Sequence, residues 1–232
     1  MTSVADSRMR LRLVDRHDWA AYLTAHSGLP GPRGNIELAQ AVADEGDRAL
    51  FDALIATDDE YLTFCGVLGL GAVLATGHNG SVQERLRDHA ADPRWRVREA
   101  VAMALQRLGD AAPERLRAVV EQWADDPDPL VQRAAVAGIC EPRLLAGPSG
   151  AALALATCER VTASLVARPP ETRRDPGVRV LRQALGYCWS VAVAADPEHG
   201  LPAFQRLAAS HDPDVVWIVR ENRGKKRLAR LL

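Results

Sequence analysis

The sequence predicts an all-α chain built from repeated helical hairpins, and three observations carry that prediction. Alanine fills 39 of 232 positions while β-branched runs are few, a composition that favours closely packed helices over sheets. Apolar residues recur with the 3.6-residue period of a helix. One helical segment also returns along the chain at a lag of 34 or 35 residues, the signature of a repeat architecture.

Taken in order, residues 1–34 read as a cap segment, irregular around Leu29–Gly34 (LPGPRG), leading to a helix after Asn35. The clearest repeat is Asp92–Gly109 (DPRWRVREAVAMALQRLG), in which Val97, Ala100, Val101, Ala104, Leu105 and Leu108 form one continuous stripe. Asp92 and Pro93 are placed to open that helix and Gly109 to end it. Earlier in the chain, Leu62, Cys65 and Val67 take the places of Val97, Ala100 and Ala102; later, Val131, Ala134 and Val136 do so behind Asp126-Pro127. Asp175-Pro176 opens a further helix to about Ala195, and Asp212-Pro213 the last. Between these lie Pro113–Trp123, Ala151–Val166 and Leu201–Ala209 with the same period. Small residues at the repeated positions let helix axes approach, and each hairpin needs neighbours to bury its apolar face.

Asp92, Pro93, Val97, Arg98, Ala100, Ala102, Ala104 and Leu105 resemble the second helix of the HEAT-like repeat family, whose pattern is Asp-Pro-x-x-Val-Arg followed by small residues. The later and earlier copies depart from it at Gln132 and Thr63, which stand where the family has arginine. The resemblance covers roughly residues 35–230 and implies one right-handed superhelical solenoid of about five helical hairpins over 35–232. Its second helices would line a concave surface. It is nearly silent on activity, because such repeats serve many tasks.

Charge and motifs exclude several classes. A net charge of −1 gives no bulk attraction to nucleic acid or membrane. The opening residues lack the apolar core of a signal peptide, and the longest apolar stretch is read as Gly66–Ala75, too short to span a bilayer. Four scattered cysteines (Cys65, Cys140, Cys158, Cys188) read as buried thiols of a cytoplasmic protein, without a disulfide frame or metal site. The six histidines show no ligand spacing, and Gly66, Gly69 and Gly71 sit inside a helical stripe with no preceding strand, so they read as close helix packing and not phosphate binding. No cofactor is expected.

The candidate binding residues lie in two matched segments, Trp95–Glu99 (WRVRE) and Trp217–Glu221 (WIVRE), which agree at four of five positions. Trp95 points away from the main apolar stripe, and Glu99 and Glu221 follow their tryptophans by one turn on the same face. Arg98, Arg179 and Arg220 are expected to ladder with Asp92, Asp126 or Asp175; Arg94, Arg96, Arg133 and Arg182 are left freer to meet an anion. Arg220, Arg223, Lys225 and Lys226 begin a basic tail suited to phosphate contact or to a solvated end.

These features predict a non-catalytic scaffold that takes a macromolecular partner, a protein first, through a concave face. The second reading is a DNA-binding or DNA-alkylation-repair protein. The arginines, tryptophans and carboxylates are similar to those of alkylpurine DNA glycosylases built from HEAT-like repeats. That resemblance implies aromatic faces for a cationic base, with Glu99 or Glu221 supporting the oxocarbenium ion; the paired-tryptophan-and-aspartate signature of those enzymes is missing here. A third reading, an accessory or lyase-type protein acting on a small molecule, rests only on the occurrence of such repeats in pigment-attachment lyases.

Overall fold

The computed structural model describes residues 3–77 and 80–232. Among them are fourteen α-helices and no strand. The helices group into two compact units, one ending at Ala111 and the other running from Ala112 to Leu232.

In the first unit, α1 (Val4–Leu11) and α2 (Trp19–Ala25) precede α3 (Ile36–Glu45), α4 (Arg48–Ala56), α5 (Glu60–Thr76), α6 (Gly80–Ala90) and α7 (Trp95–Ala111). The opening block is thus more ordered than an irregular cap: Ser3 and Asp6 form a reciprocal capping box that starts α1. Asn35 starts α3 as expected, its Oδ1 accepting the Leu38 amide at 3.1 Å. Helices α4–α5 and α6–α7 are the first two hairpins, and α3 packs on α5 as an extra helix.

Helix α5 lies at the centre of this unit, buried on most of its surface. Its glycines are where neighbouring helices come closest. A Cβ on Gly69 would meet the Phe51 ring of α4 at 2.4 Å, and one on Gly71 the Ala104 carbonyl oxygen of α7 at 2.3 Å. The glycine cluster therefore packs helices together, as its place in an apolar stripe indicates.

Helix α1 is fixed to α3 by charge. Arg8 and Arg12 both donate to Glu45, at 2.6 and 2.8 Å, and these bonds lower the Glu45 carboxyl to about 2, Arg12 contributing most. A depressed carboxylate stabilises above its unfolded pKa, near 4.3, and loses that contribution as pH falls through the folded value. We expect α1 to loosen from α3 between about pH 4 and 2, read as growing hydrogen exchange at Leu11 with the core of the unit unchanged, and Glu45→Gln to remove this pH dependence.

The second unit carries three hairpins: α8 (Pro113–Ala124) with α9 (Pro129–Ile139), α10 (Pro148–Ala167) with α11 (Pro176–Ala195), and α12 (Pro197–Ala208) with α13 (Pro213–Arg223), closed by the short α14 (Lys226–Ala229). Five hairpins thus stand where about five were expected. Pro176 and Pro213 take the first helical position behind Asp175 and Asp212, as expected.

Two helix ends differ from expectation. Asp92 bonds the Arg94 amide at 2.8 Å, so α7 begins at Trp95 and not at Pro93. Likewise, Asp126 turns the chain onto Asp128, and Asp128-Pro129 opens α9. Gly109 does not end α7, which continues to Ala111 and stops at Ala112, where the following Pro113 disfavours helical backbone.

Helix α10 exceeds the apolar run noted above. It is 20 residues long with a mean hydropathy of 1.2 over its best window, long and apolar enough by composition to cross a membrane, and half of that window is buried within the second unit. Glu159 and Arg160 interrupt its sequence, which hides it from a search for uninterrupted runs.

Candidate functional site

In the first unit, Trp95 and Glu99 stand one turn apart at the start of α7 and line one small cavity of about 70 Å³. Trp95 keeps 53% of its surface in solvent. Tyr61 and Phe64, buried on α5, supply the cavity's aromatic wall with rings nearly parallel (7°) and centroids 6.2 Å apart.

The roof is the loop before α3. Asn35 holds it by donating from its amide to the Ser27 carbonyl (2.7 Å) and from Nδ2 to the His26 carbonyl (3.0 Å), while Tyr61 Oη donates to the Asn35 carbonyl at 2.7 Å. Arg96 donates to the Gly31 carbonyl at 3.1 Å and pairs with Glu60 at 3.2 Å, its guanidinium 4.6 Å from the Trp95 ring centroid. The Tyr61 hydroxyl is held far above its usual pKa, first by burial and then by Cys65, so it stays neutral. The cavity has about the room of two waters. Its lining suits a small apolar side chain, with Trp95 as an exposed platform beside it.

The second unit repeats part of this arrangement on α11 and α13. Trp217 is half-buried against Gly186, where a Cβ would meet its ring at 2.8 Å and the Glu221 Cβ at 3.3 Å. The Arg182 guanidinium lies 4.8 Å from the Trp217 centroid and pairs with Asp214 at 2.7 Å. Each matched segment therefore places tryptophan, arginine and two carboxylates together, within its own unit.

Three of the arginines expected to be freer are held by acids. Arg94 bonds Asp92 at 2.8 Å and Asp58 at 3.0 Å, and Arg96 and Arg182 are paired as above. Burial pushes the Asp92 carboxyl upward, but Arg94's hydrogen bonds outweigh it and leave the pKa lowered. Among the arginines expected to form a ladder, Arg98 caps the Asp92 and Pro93 carbonyls at 2.6 and 2.9 Å, and Arg220 pairs with its neighbour Glu221 at 3.1 Å. Asp92 is met by Arg94, and Arg173 reaches Asp212 at 2.5 Å. Arg133 is half-buried on α9.

In the tail, Lys225 and Arg227 approach the exposed Tyr187 ring at 5.9 and 4.8 Å, while Arg223 and Lys226 are exposed. The four cysteines are buried and form no disulfide. Cys140 and Cys158, separated in sequence, bring their sulfurs to 3.8 Å, and Cys188 donates to the Val136 carbonyl at 3.7 Å. Contact with Cys158, together with burial, holds the Cys140 thiol well above its ordinary pKa, which keeps it protonated and inert. Among the described residues, Asp15, His17 and Asp18 gather three possible ligand atoms within 4.8 Å; all three are exposed, so water competes for each.

Repeated hairpins with small residues at their close contacts make this an α-helical repeat protein. Residues 48–140 match the family model for HEAT repeats. Over that stretch, less than half of the chain, the hairpins are similar to HEAT repeats, a repeat-scaffold architecture. No curated protein matches the chain.

Proposed function

We propose that the chain is a non-catalytic binding module that takes a protein partner, with Trp95 at the centre of the recognition surface in the first unit. One observation carries this reading: a large aromatic side chain stands half in solvent at the mouth of an apolar cavity walled by Tyr61 and Phe64. Exposed aromatics next to an apolar pocket are the usual anchors of protein interfaces. The ion pairs of Arg94, Arg96 and Arg182 favour a protein over a phosphate backbone, because each guanidinium already meets a carboxylate. The cavity is also small for a purine ring. The proposal includes a cytoplasmic location, supported by four unbridged thiols.

Pull-down with the intact chain is expected to recover a partner that Trp95→Ala no longer holds, with the helical circular dichroism spectrum retained. Loss of such an anchor costs about 2 kcal/mol or more, roughly thirtyfold in Kd. Duplex DNA binding that falls steeply with salt would overturn the proposal. So would excision of a methylated base abolished by Glu99→Gln or Glu221→Gln.

A further inference from the structure

Helices α10 and α12 run side by side in the second unit, joined across the gap between them by the Arg206–Glu159 pair. α12 rests on α11 and α13, while α10 rests on α8, α9 and α11. Between α10 and α12 lies a groove made of two adjoining cavities of about 530 and 470 Å³. The first joins the Pro148 half of α10 to the start of α12; the second joins the Ala167 half to the end of α12. The two helices are therefore parallel.

The groove is apolar and stepped at helical spacing. Ala152, Ala156, Ala163 and Ala167 are exposed along α10, with Leu155 and Val166 between them. Pro202, Ala203 and Leu207 face them from α12. Buried Trp189 of α11 forms the floor, its indole donating to Thr162 at 3.0 Å, so the floor needs no polar ligand.

We propose that this groove docks an amphipathic α-helix of a partner protein, of about three turns, with a basic residue at the end lying over Glu198. Three arguments select that occupant. Alanine pairs four residues apart, Ala152 with Ala156 and Ala163 with Ala167, admit the ridges of another helix. A helix bonds its own amides, whereas an extended strand would find side chains and no free backbone groups on these walls. The groove's charged residues are Glu159, Asp196 and Glu198 against Arg206, with His199 as a titratable fifth. Asp196 is bonded by His199 at 2.8 Å and Glu159 by Arg206 at 3.2 Å, which leaves exposed Glu198 to favour a cation. The Glu159–Arg206 pair crosses the groove between its two halves. Both side chains are largely exposed, so the pair opens readily when a helix enters. This surface is separate from the Trp95 cavity and stands or falls without it.

The test is selection of a displayed library of helical peptides, about three turns long with one apolar face and randomised polar positions, on the intact chain. Enrichment of sequences with Lys or Arg at one end is expected. Their binding should fall about tenfold or more in Ala163→Trp, which fills the groove from an exposed position, and Glu198→Lys should reverse the charge preference. Circular dichroism establishes that both variants fold. Four results would each overturn the proposal: no enrichment, equal binding to Ala163→Trp, self-association of the chain that Ala163→Trp abolishes, or flotation with anionic vesicles in place of peptide binding. None of these results bears on Trp95→Ala, so failure here and failure of the proposed function are distinguishable.

Discussion

Gly71→Ala is expected to destabilise the chain by about 2 kcal/mol or more, although alanine is the better helix former. A methyl at Gly71 would sit 2.3 Å from the Ala104 carbonyl oxygen and 2.7 Å from the Ala104 Cα. Both are backbone atoms, so no rotamer change relieves the clash, and α5 and α7 must move apart. Overpacking of this kind costs about 1–3 kcal/mol or more, against about 1 kcal/mol gained in helix propensity. Because α5 also packs on α3 and α4, the displacement spreads through the first unit, which places the cost at the upper end of that range. Gly77→Ala is the control: among the described residues nothing lies within 4 Å of its added methyl, and it is expected to be neutral or to stabilise by up to about 1 kcal/mol. Urea midpoints of the two variants check this, and equal midpoints would mean that α5 and α7 do not meet backbone to backbone.

The same close approach shows why the hairpins were readable from sequence. Glycine and alanine at fixed places in an apolar stripe have few other uses, and Asp175-Pro176 and Asp212-Pro213 mark helix starts by local geometry alone. Asp92-Pro93 misleads because the Asp92 carboxylate has a competing local partner, the Arg94 amide, that delays the helix. The arginine partners were hidden for a different reason. Arg94 meets Asp58 and Arg96 meets Glu60, each 36 positions earlier, while Arg182 meets Asp214 32 positions later. Those distances are about one repeat, so the pairs exist only once neighbouring hairpins stack. The cavity behind Trp95 follows the same rule. Glu99 was legible as a one-turn neighbour, whereas Tyr61 lies 34 residues before Trp95, and only a search for aromatics at the repeat lag would have found it.

Asn222→Leu tests the least legible of these links, and its expected loss is about 2 kcal/mol. Nothing in the WIVREN segment marks Asn222 as buried, yet it is fully enclosed between α11 and α13. Its Oδ1 accepts the Ser190 amide at 2.8 Å; its Nδ2 donates to the carbonyls of Leu185 at 2.9 Å and Ile218 at 2.8 Å. Leucine matches the side chain in size but makes none of these bonds, and a buried hydrogen bond contributes about 0.5–1.5 kcal/mol net. The Ile218 carbonyl belongs to α13 itself, so the larger share falls on the two α11 groups. Loss of this staple frees α13 from α11, and with it the seat of Trp217 on Gly186. The emission of Trp217 should shift to the red, and the Ser190 amide, buried mid-helix, should exchange its hydrogen much earlier than in the parent. If the Ser190 amide keeps its protection in Asn222→Leu, apolar packing and not this bond network joins the last two hairpins.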